Sequence, residues 1–563
     1  MITRLLSVMA LLLIAAACNH KTGADASKSS ANSQQTLPEI YHIPPVETEA
    51  PVIAEAPLPP PPPPAIEEVP EEEMEVEDLP MPSPSNRENY APIYENDYNE
   101  ALSQPFSTFS IDVDRAAYSN TRRFLNQGQL PPVDAVRLEE FINYFDYDYP
   151  QPKGEVPFSV NTEVAPCPWN AQHQLVHIGL QGRHMPKENL PPNNLVFLID
   201  VSGSMSDYDK LPLLKGAFQM LVEQLRPSDR VAIVVYAGAS GLVLPSTPGL
   251  DKARILRTLN QLDAGGSTAG GQGIQLAYQT ARRYFIEGGN NRIILATDGD
   301  FNVGVHSTEA LVRLIEKERQ DGIYLSVLGF GTGNYKDAQM EQLADHGNGN
   351  YAYIDQLSEA KKVLVNEFSS TLFTIAKDVK IQVEFNPKEV KAYRLLGYEN
   401  RLLEEEDFND DLKDAGEIGA GHSVTALYEV VPAESSEVLT TSNGVDVLKY
   451  QERRLRDSPE LMTVKLRYKP PHLDKSSKIE VPVLAKRGGG EDAVGTTANF
   501  RFSAAVAGFG LLLRNSKYKG AANYRLIRQL AKGAVGNDPH DYRKEFLQLV
   551  KLAEQYDQRL SAN

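Results

Sequence analysis

The order of apolar and polar positions changes character several times along this 563-residue chain, and each change marks a different kind of packing. From Asn194 onward, continuous apolar runs alternate with stretches of helical periodicity; the runs are Leu195 to Ile199, Val231 to Tyr236, Ile293 to Ala296 and Tyr324 to Phe330. Strands that are apolar at every position are buried on both faces, so this region predicts a largely parallel, doubly wound sheet with helices on both sides. Gly241 to Leu244 reads as a short antiparallel edge strand. After about Phe373 the pattern becomes strict alternation, with Val379, Ile381, Val383 and Phe385, then Val424, Ala426, Tyr428 and Val430, then Met462, Val464, Leu466 and Tyr468 each on one face. These predict half-buried antiparallel strands. Val176, Ile178 and Leu180 alternate in the same way ahead of the α/β region. A lone half-buried strand cannot cover its apolar side. Residues 156–182 are therefore expected to share a sheet with strands of the carboxyl-terminal region, with the α/β domain inserted between them.

Helical periodicity flanks this arrangement. Phe106 to Tyr149 reads as mostly helical, with Leu138, Phe141, Ile142 and Phe145 on one face and Asp134 placed to cap the start. Phe502 to Asn515 is a small, apolar helical run, and Tyr542, Phe546, Leu549, Val550 and Ala553 form a stripe near the end. No internal repeat is visible.

The amino terminus follows a different grammar. Arg4 precedes an apolar run from Leu5 to Ala17, too short to span about 30 Å of hydrocarbon but suited to a secretory signal. Ile14-Ala15-Ala16-Ala17-Cys18 resembles a bacterial lipoprotein signal, in which the cysteine is lipidated and becomes the mature amino terminus. Leucine is usual where Ala15 stands, with Ile14 one place earlier; the alternative is an ordinary cleaved signal. From Asn19 to about Glu100 the chain is polar, with prolines at 59–64 and eight acidic residues between Glu67 and Asp78. Such a segment cannot bury enough apolar surface to fold and is expected to be a tether with a reach of roughly 50 Å.

The expected organisation is thus a signal at 1–17, a Pro/Glu-rich tether at 18–100, a flanking module at 101–190, the α/β domain at 191–370 and a β/α module at 371–563. Several cores suit a chain of this length. Its net charge of −19 belongs mainly to the tether, because Cys18 to Glu100 holds 17 acidic and 3 basic residues. The remainder is close to balance with no sustained basic run, which argues against nucleic acid as a partner. Two cysteines, Cys18 and Cys167, exclude a disulfide framework and a multi-cysteine metal site. Cys167 is expected to be a buried core thiol.

The candidate chemistry lies where the first α/β strand ends, in Asp200-Val-Ser202-Gly-Ser204-Met-Ser206. Ligands of doubly wound sheets bind at the carboxyl ends of strands. Gly265-Gly-Ser-Thr268 and Thr297-Asp298-Gly299 should reach the same rim. Two carboxylates and three hydroxyls, with no histidine or cysteine, suit a hard cation, Mg²⁺ first, with Mn²⁺ or Ca²⁺ as alternatives.

Asp200-x-Ser202-x-Ser204, followed in order by Thr268 and Asp298-Gly299, resembles the metal-ion-dependent adhesion site of the von Willebrand factor type A family. That family has a Rossmann-like sheet with helices on both faces. The resemblance implies that Ser202, Ser204 and Thr268 ligate the metal, that Asp200 and Asp298 hold it largely through water, and that a coordination position stays open for a Glu or Asp of a partner. Neutral hydroxyl ligands leave the ion electrophilic toward that carboxylate. Ser107-Thr-Phe-Ser-Ile-Asp112-Val-Asp114 through Tyr149-Pro150, with the carboxyl-terminal portion, resembles a bacterial lipoprotein subfamily with extra modules on both sides of the domain. Asp112 and Asp114 are read as helix caps rather than a second metal site.

Other signals carry less. Asp407, Asn409 and Asp411 have EF-hand spacing, but Leu412 replaces the turn glycine and Ile418 the bidentate Glu, so an acidic surface loop is expected. Ser358-Glu-Ala-Lys361 matches a β-lactamase string without its companions. No G-x-G-x-x-G follows the first strand and neither a Walker A sequence nor H-E-x-x-H occurs, so nucleotide binding and zinc hydrolysis lack support. A phosphatase would use Asp200 as nucleophile, but the acid expected two places later is Ser202. The sequence therefore predicts a non-enzymatic adhesion or scaffold lipoprotein of the bacterial envelope, anchored through Cys18, at the outer membrane rather than the inner. It would bind a protein partner through Mg²⁺. The alternatives are a metal-independent structural scaffold and, behind it, a phosphatase-like hydrolase.

Overall fold

Apolar residues at successive positions of Asn193–Asp200 point alternately into two different cores, the arrangement that makes a doubly wound sheet. Leu195, Phe197 and Ile199 pack with Leu214, Phe218, Leu221, Ile255 and Leu259 from the helices Leu211–Gln224 and Lys252–Asn260. Val196 and Leu198 pack with Ile274, Ala277, Leu311, Ile315, Met340 and Leu343 on the other side. The Phe197 and Phe218 rings stack at 4.3 Å. Fully burying side chains of this size contributes roughly 1.5–3 kcal/mol each. This is a computed structural model; it describes residues 88–562 apart from 112–113, 238–239, 267–269, 300–307, 334, 368–371, 439–454, 474 and 486–494. The expected signal, Cys18 and residues 19–87 of the expected tether lie outside the described residues, as does Asp112. Residues 88–100, also expected in the tether, are instead part of the fold, because Glu88 pairs with Arg123 at 2.8 Å, Tyr98 is buried and Asn99–Glu100 is a strand.

The six-stranded α/β sheet runs in the order Tyr351–Ile354, Ile323–Phe330, Asn290–Thr297, Asn193–Asp200, Arg230–Tyr236, Ser240–Pro248. All neighbours are parallel except the last pair, so the expected antiparallel edge strand is present and extends over Ser240–Pro248. Asn193–Asp200 is flanked by the strand that follows it on one side and by Asn290–Thr297 on the other. The chain reverses its direction of travel there, so Asp200 sits at the topological switch point of the sheet.

The flanks of this domain are built together. Asn170–Gly182, which precedes it, pairs antiparallel with Ser423–Pro432, which follows it, in a five-stranded sheet completed by Phe158–Cys167, Val390–Leu396 and Asn99–Glu100. A second sheet centres on Thr374–Phe385, paired with Glu460–Lys469 on one side and with Phe106–Ser110 and Gly416–Gly419 on the other; Ser477–Leu484 extends it. Ile178, Leu180, Val424, Ala426 and Tyr428 meet Val379, Ile381, Val383, Val464 and Leu466 between the sheets. The far face of the first sheet contributes Leu175, Leu396 and Leu427 to a third core with the helices Leu138–Asn143, Ala498–Leu513, Tyr524–Lys532 and Tyr542–Ala562. In that core Phe145 meets Phe502 and Phe546 edge-on at 4.8 and 5.7 Å. The α/β domain leaves this module after Gly182 and re-enters it at Thr374.

Several local expectations need correction. Phe106–Ser110 is a strand rather than the start of a helix, because its partner Thr374–Phe385 lies far along the chain and supplies the packing that a five-residue alternation cannot advertise. Ser423–Pro432 is buried on both faces rather than half-buried, since helices cover the side away from the second sheet. Asp134 does not cap a helix; it lies in the 3₁₀ turn Val133–Ala135 and accepts from the Ile93 N–H at 3.0 Å, while the helix begins at Leu138 without a side-chain cap. Asp114 likewise is no cap: it accepts from the Tyr351 N–H at 2.8 Å and meets Arg401 at 3.4 Å. Asp407 and Asp411 pair with Lys413 and Arg467 at 3.0 and 3.2 Å. Cys167 is buried and free, and burial raises its thiol well above the usual range.

Buried and partly buried ion pairs tie the α/β domain to both flanks. Arg122, on the helix Ala116–Asn126, bonds Asp355 at 2.5 Å, Glu359 at 2.7 Å and Glu545 at 3.2 Å. Arg137 bonds Glu140 and reaches Asp337 at 2.6 Å, while Arg401 reaches Asp345 at 2.5 Å and Glu341 at 3.2 Å. Such pairs add little net stability over apolar packing, but removing one partner strands a buried charge, so they fix relative orientation.

Candidate metal centre

The site begins where Asn193–Asp200 runs out of sheet. The Val201 N–H still bonds the Tyr236 carbonyl at 3.0 Å, which holds the strand end in register. Ser202 is extended, and the chain then tightens into the 3₁₀ turn Gly203–Ser206. The Asp200 carboxylate organises this bend: one oxygen accepts from the Ser202 N–H at 2.9 Å and the other from the Thr297 hydroxyl at 3.3 Å. The Ser202 and Ser204 hydroxyl oxygens come to 3.0 Å of each other.

Two other loops close on this bend. Gly265 donates to the Val201 carbonyl at 2.7 Å and Gly203 donates to the Gly266 carbonyl at 3.0 Å, bringing the segment that leads to Thr268 alongside Ser202. Thr268 itself lies outside the described residues. Asp298 follows Asn290–Thr297, and the turn behind it is made by Gly299, whose φ of +93° favours glycine and whose N–H reaches the Thr297 hydroxyl at 3.2 Å. An added Cβ at Gly299 would meet the Lys336 backbone nitrogen at 2.7 Å. Four of the five residues singled out in the sequence, Asp200, Ser202, Ser204 and Asp298, are thus gathered at the switch point.

Asp200 is 0% exposed and Asp298 3%, whereas Ser204 faces solvent. Burial pushes the Asp200 carboxyl up to about 6; the neighbouring Asp298 charge adds to this, against the bonds from Ser202 and Thr297 that favour the anion. A cation above the pair would relieve that penalty.

The donor set fits such an ion. Adjacent ligands of an octahedron with bonds of 2.0–2.1 Å are separated by about 3 Å, which is the observed spacing of the Ser202 and Ser204 hydroxyls. Both Asp200 oxygens are already engaged by protein donors, which suits an outer role through water and leaves no exposed oxygen for a nucleophile. Among the described residues no group of three or more His, Cys, Asp or Glu is placed to hold a metal; the Ser202 and Ser204 hydroxyls are the oxygens found at ligand spacing.

Sequence reasoning missed Lys210 and the part played by Thr297. Lys210, the residue before the helix Leu211–Gln224, sends its ammonium to Asp298 at 3.1 Å and to the Ser204 carbonyl at 3.0 Å. A cation ten positions after Asp200, at a helix entry on the same rim, was the available signal.

Residues 194–367 match the family model described as von Willebrand factor type A domain, residues 84–177 one described as von Willebrand factor, and residues 370–556 one described as Uncharacterized protein YfbK, C-terminal. The uncharacterized protein YfbK of Escherichia coli (strain K12) is 45% identical over 481 residues, a match covering 83% of this chain and 81% of that protein. Inter-alpha-trypsin inhibitor heavy chain H3 of Homo sapiens is 28% identical over 174 residues, covering 29% of this chain and 19% of that one. Among solved structures, von Willebrand factor type A from Catenulispora acidiphila aligns at 15% identity over 81% of this chain and 89% of its own, with a TM-score of 0.37.

Proposed function

We propose, for a chain that belongs to the family of the Escherichia coli protein YfbK and carries a von Willebrand factor type A domain, that it is a non-enzymatic scaffold that captures a protein partner through a divalent metal. Ser202, Ser204 and Thr268 would hold Mg²⁺, with Mn²⁺ or Ca²⁺ as substitutes, and Asp200 and Asp298 would support it through water. When bound, the ion supplies an electrophilic position for a partner's Glu or Asp. The chain's own part is to hold two hydroxyls at ligand spacing above two buried carboxylates, and that juxtaposition is the observation carrying the reading. The buried, doubly bonded Asp200 supports binding over phosphoryl chemistry. Lipidation at Cys18 and residence in the envelope, at the outer membrane before the inner, belong to the same proposal and rest on the Ile14 to Cys18 sequence. Among the described residues no helix is long and apolar enough to cross a membrane.

One observation favours a second reading, a scaffold that needs no metal: Lys210 already places a positive charge against Asp298. Crosslinking in intact cells followed by affinity capture, with Mg²⁺ or with EDTA, separates the two. Partners captured by the wild type in Mg²⁺ and lost both in EDTA and in Asp298→Ala support the metal reading. Partners retained in all conditions support the second.

A further inference from the structure

The Lys210 side chain is 7% exposed and ends among oxygens of the proposed centre, 3.1 Å from Asp298, 3.0 Å from the Ser204 carbonyl and 3.9 Å from Asp207. A lysine is rarely buried unless paired, and here the fold makes room for it. Gly331, directly after Ile323–Phe330, has φ +76°, and an added Cβ there would fall within 2.3–2.8 Å of Lys210 Cε, Cγ and Cδ. The strand end is therefore a slot through which the Lys210 stem passes to reach the rim.

We infer that Lys210 is a built-in cation that weakens divalent metal binding at this centre and keeps the loaded site positively charged, so that it selects a carboxylate-bearing ligand. The inference rests on the metal reading above and follows from the charge count. The buried Asp200 and Asp298 supply two negative charges and Lys210 one positive. The Asp207 side chain, 3.9 Å from the ammonium, is 69% exposed and screened by solvent and so does not enter the buried count. A divalent ion then leaves the site at +1, and an incoming carboxylate brings it to neutrality. Without Lys210 the loaded site would already be neutral, the metal would be held more tightly, and a carboxylate would add an uncompensated negative charge. In a buried, low-dielectric setting a unit charge at this range changes affinity by at least about tenfold. Lys210 also joins the Ser204 turn to Asp298, so a purely structural bracket is the competing role, and it predicts the opposite sign.

Lys210→Met keeps the stem over Gly331 and removes the charge; Lys210→Gln is its polar counterpart. The test is Mn²⁺ titration by calorimetry into the full chain, wild type against both variants, followed by acetate binding to each Mn²⁺-loaded protein. The inference expects Mn²⁺ to bind both variants at least about tenfold more tightly, and acetate more weakly, than in the wild type. Mn²⁺ binding by the variants alone would mean that Lys210 excludes the metal altogether, which overturns the ligand-selection half and the metal reading of the wild type. Equal or weaker Mn²⁺ binding by folded variants, or variants that no longer fold, overturns it in favour of a bracket and leaves wild-type metal binding standing. Tighter Mn²⁺ binding without weaker acetate binding overturns the ligand-selection half. Absence of Mn²⁺ binding in all three proteins overturns the inference and the metal reading together.

Discussion

Ile178 and Ala426 stand opposite each other on neighbouring antiparallel strands, one before the α/β domain in sequence and the other after it. Both are buried between the two β-sheets. The chain must therefore leave and re-enter one β-module, which anchors both ends of the α/β domain to the same support.

Truncating that joint should be felt by the whole β-module. Ile178→Ala removes buried methylenes from a core that cannot fully collapse, and a loss of about 2–5 kcal/mol is expected. Chemical denaturation followed by tryptophan fluorescence is a suitable check, since Trp169 is buried in the adjoining helical core. A loss under about 0.5 kcal/mol, the scale of an ordinary surface substitution, would contradict the joint.

The ionic clamp can be tested separately. Arg122→Met strands Asp355 and Glu359, both within 2.7 Å of the guanidinium and largely buried, and should cost about 3–5 kcal/mol. Additional loss of the carboxylate charges in Asp355→Asn/Glu359→Gln should recover part of it, as a double-mutant cycle would record.

Much of this was legible in sequence where packing leaves a local trace. Leu195 to Ile199 read correctly as a strand buried on both faces, since every position is apolar. That Asp200, Ser202, Ser204 and Asp298 meet at one rim was legible because each lies at or just past the end of a strand of the same sheet. Phe106–Ser110 was not legible, because its partner strand is distant, and the second buried face of Ser423–Pro432 was hidden because helices beyond residue 498 cover it. Lys210 was overlooked because a lysine at a helix entry looks like a solvated charge until Gly331 is seen to open a slot for it.

A buried pair predicts the pH response. Burial pushes Glu429 up, but bonds from His173 at 2.7 Å and Arg394 at 3.0 Å more than offset this and pull it down from 4.5 to about 2. The folded state thus binds fewer protons than the unfolded state over that interval. The pair contributes about 3 kcal/mol that is present above the unfolded pKa and lost as pH falls from about 5 toward 2. Burial lowers His173, but Glu429 and Glu437 raise it overall, so its own contribution is full below its unfolded pKa of 6.5 and fades as pH rises through the higher folded value. Stability curves of Glu429→Gln should lose the acid-side slope; an unchanged slope would refute the assignment.

The proposed membrane attachment rests on one residue. Cys18→Ser should leave the chain in the soluble fraction after cell lysis, because no other anchor is proposed for it. Recovery of the variant with carbonate-washed membranes would contradict lipid anchoring at Cys18.

The central claim is that hydroxyls at Ser202, Ser204 and Thr268, above buried Asp200 and Asp298, form a divalent cation site. Its most direct measurement is calorimetric titration of Mg²⁺ into the full chain, comparing the wild type with Ser204→Ala, Thr268→Ala and Asp298→Asn. The account predicts one site in the wild type and affinity reduced at least about tenfold in every variant. Melting temperature should change little for Ser204→Ala and Thr268→Ala and fall for Asp298→Asn, which removes the carboxylate paired with buried Lys210. No binding heat in the wild type, or the same affinity in all four proteins, would contradict it.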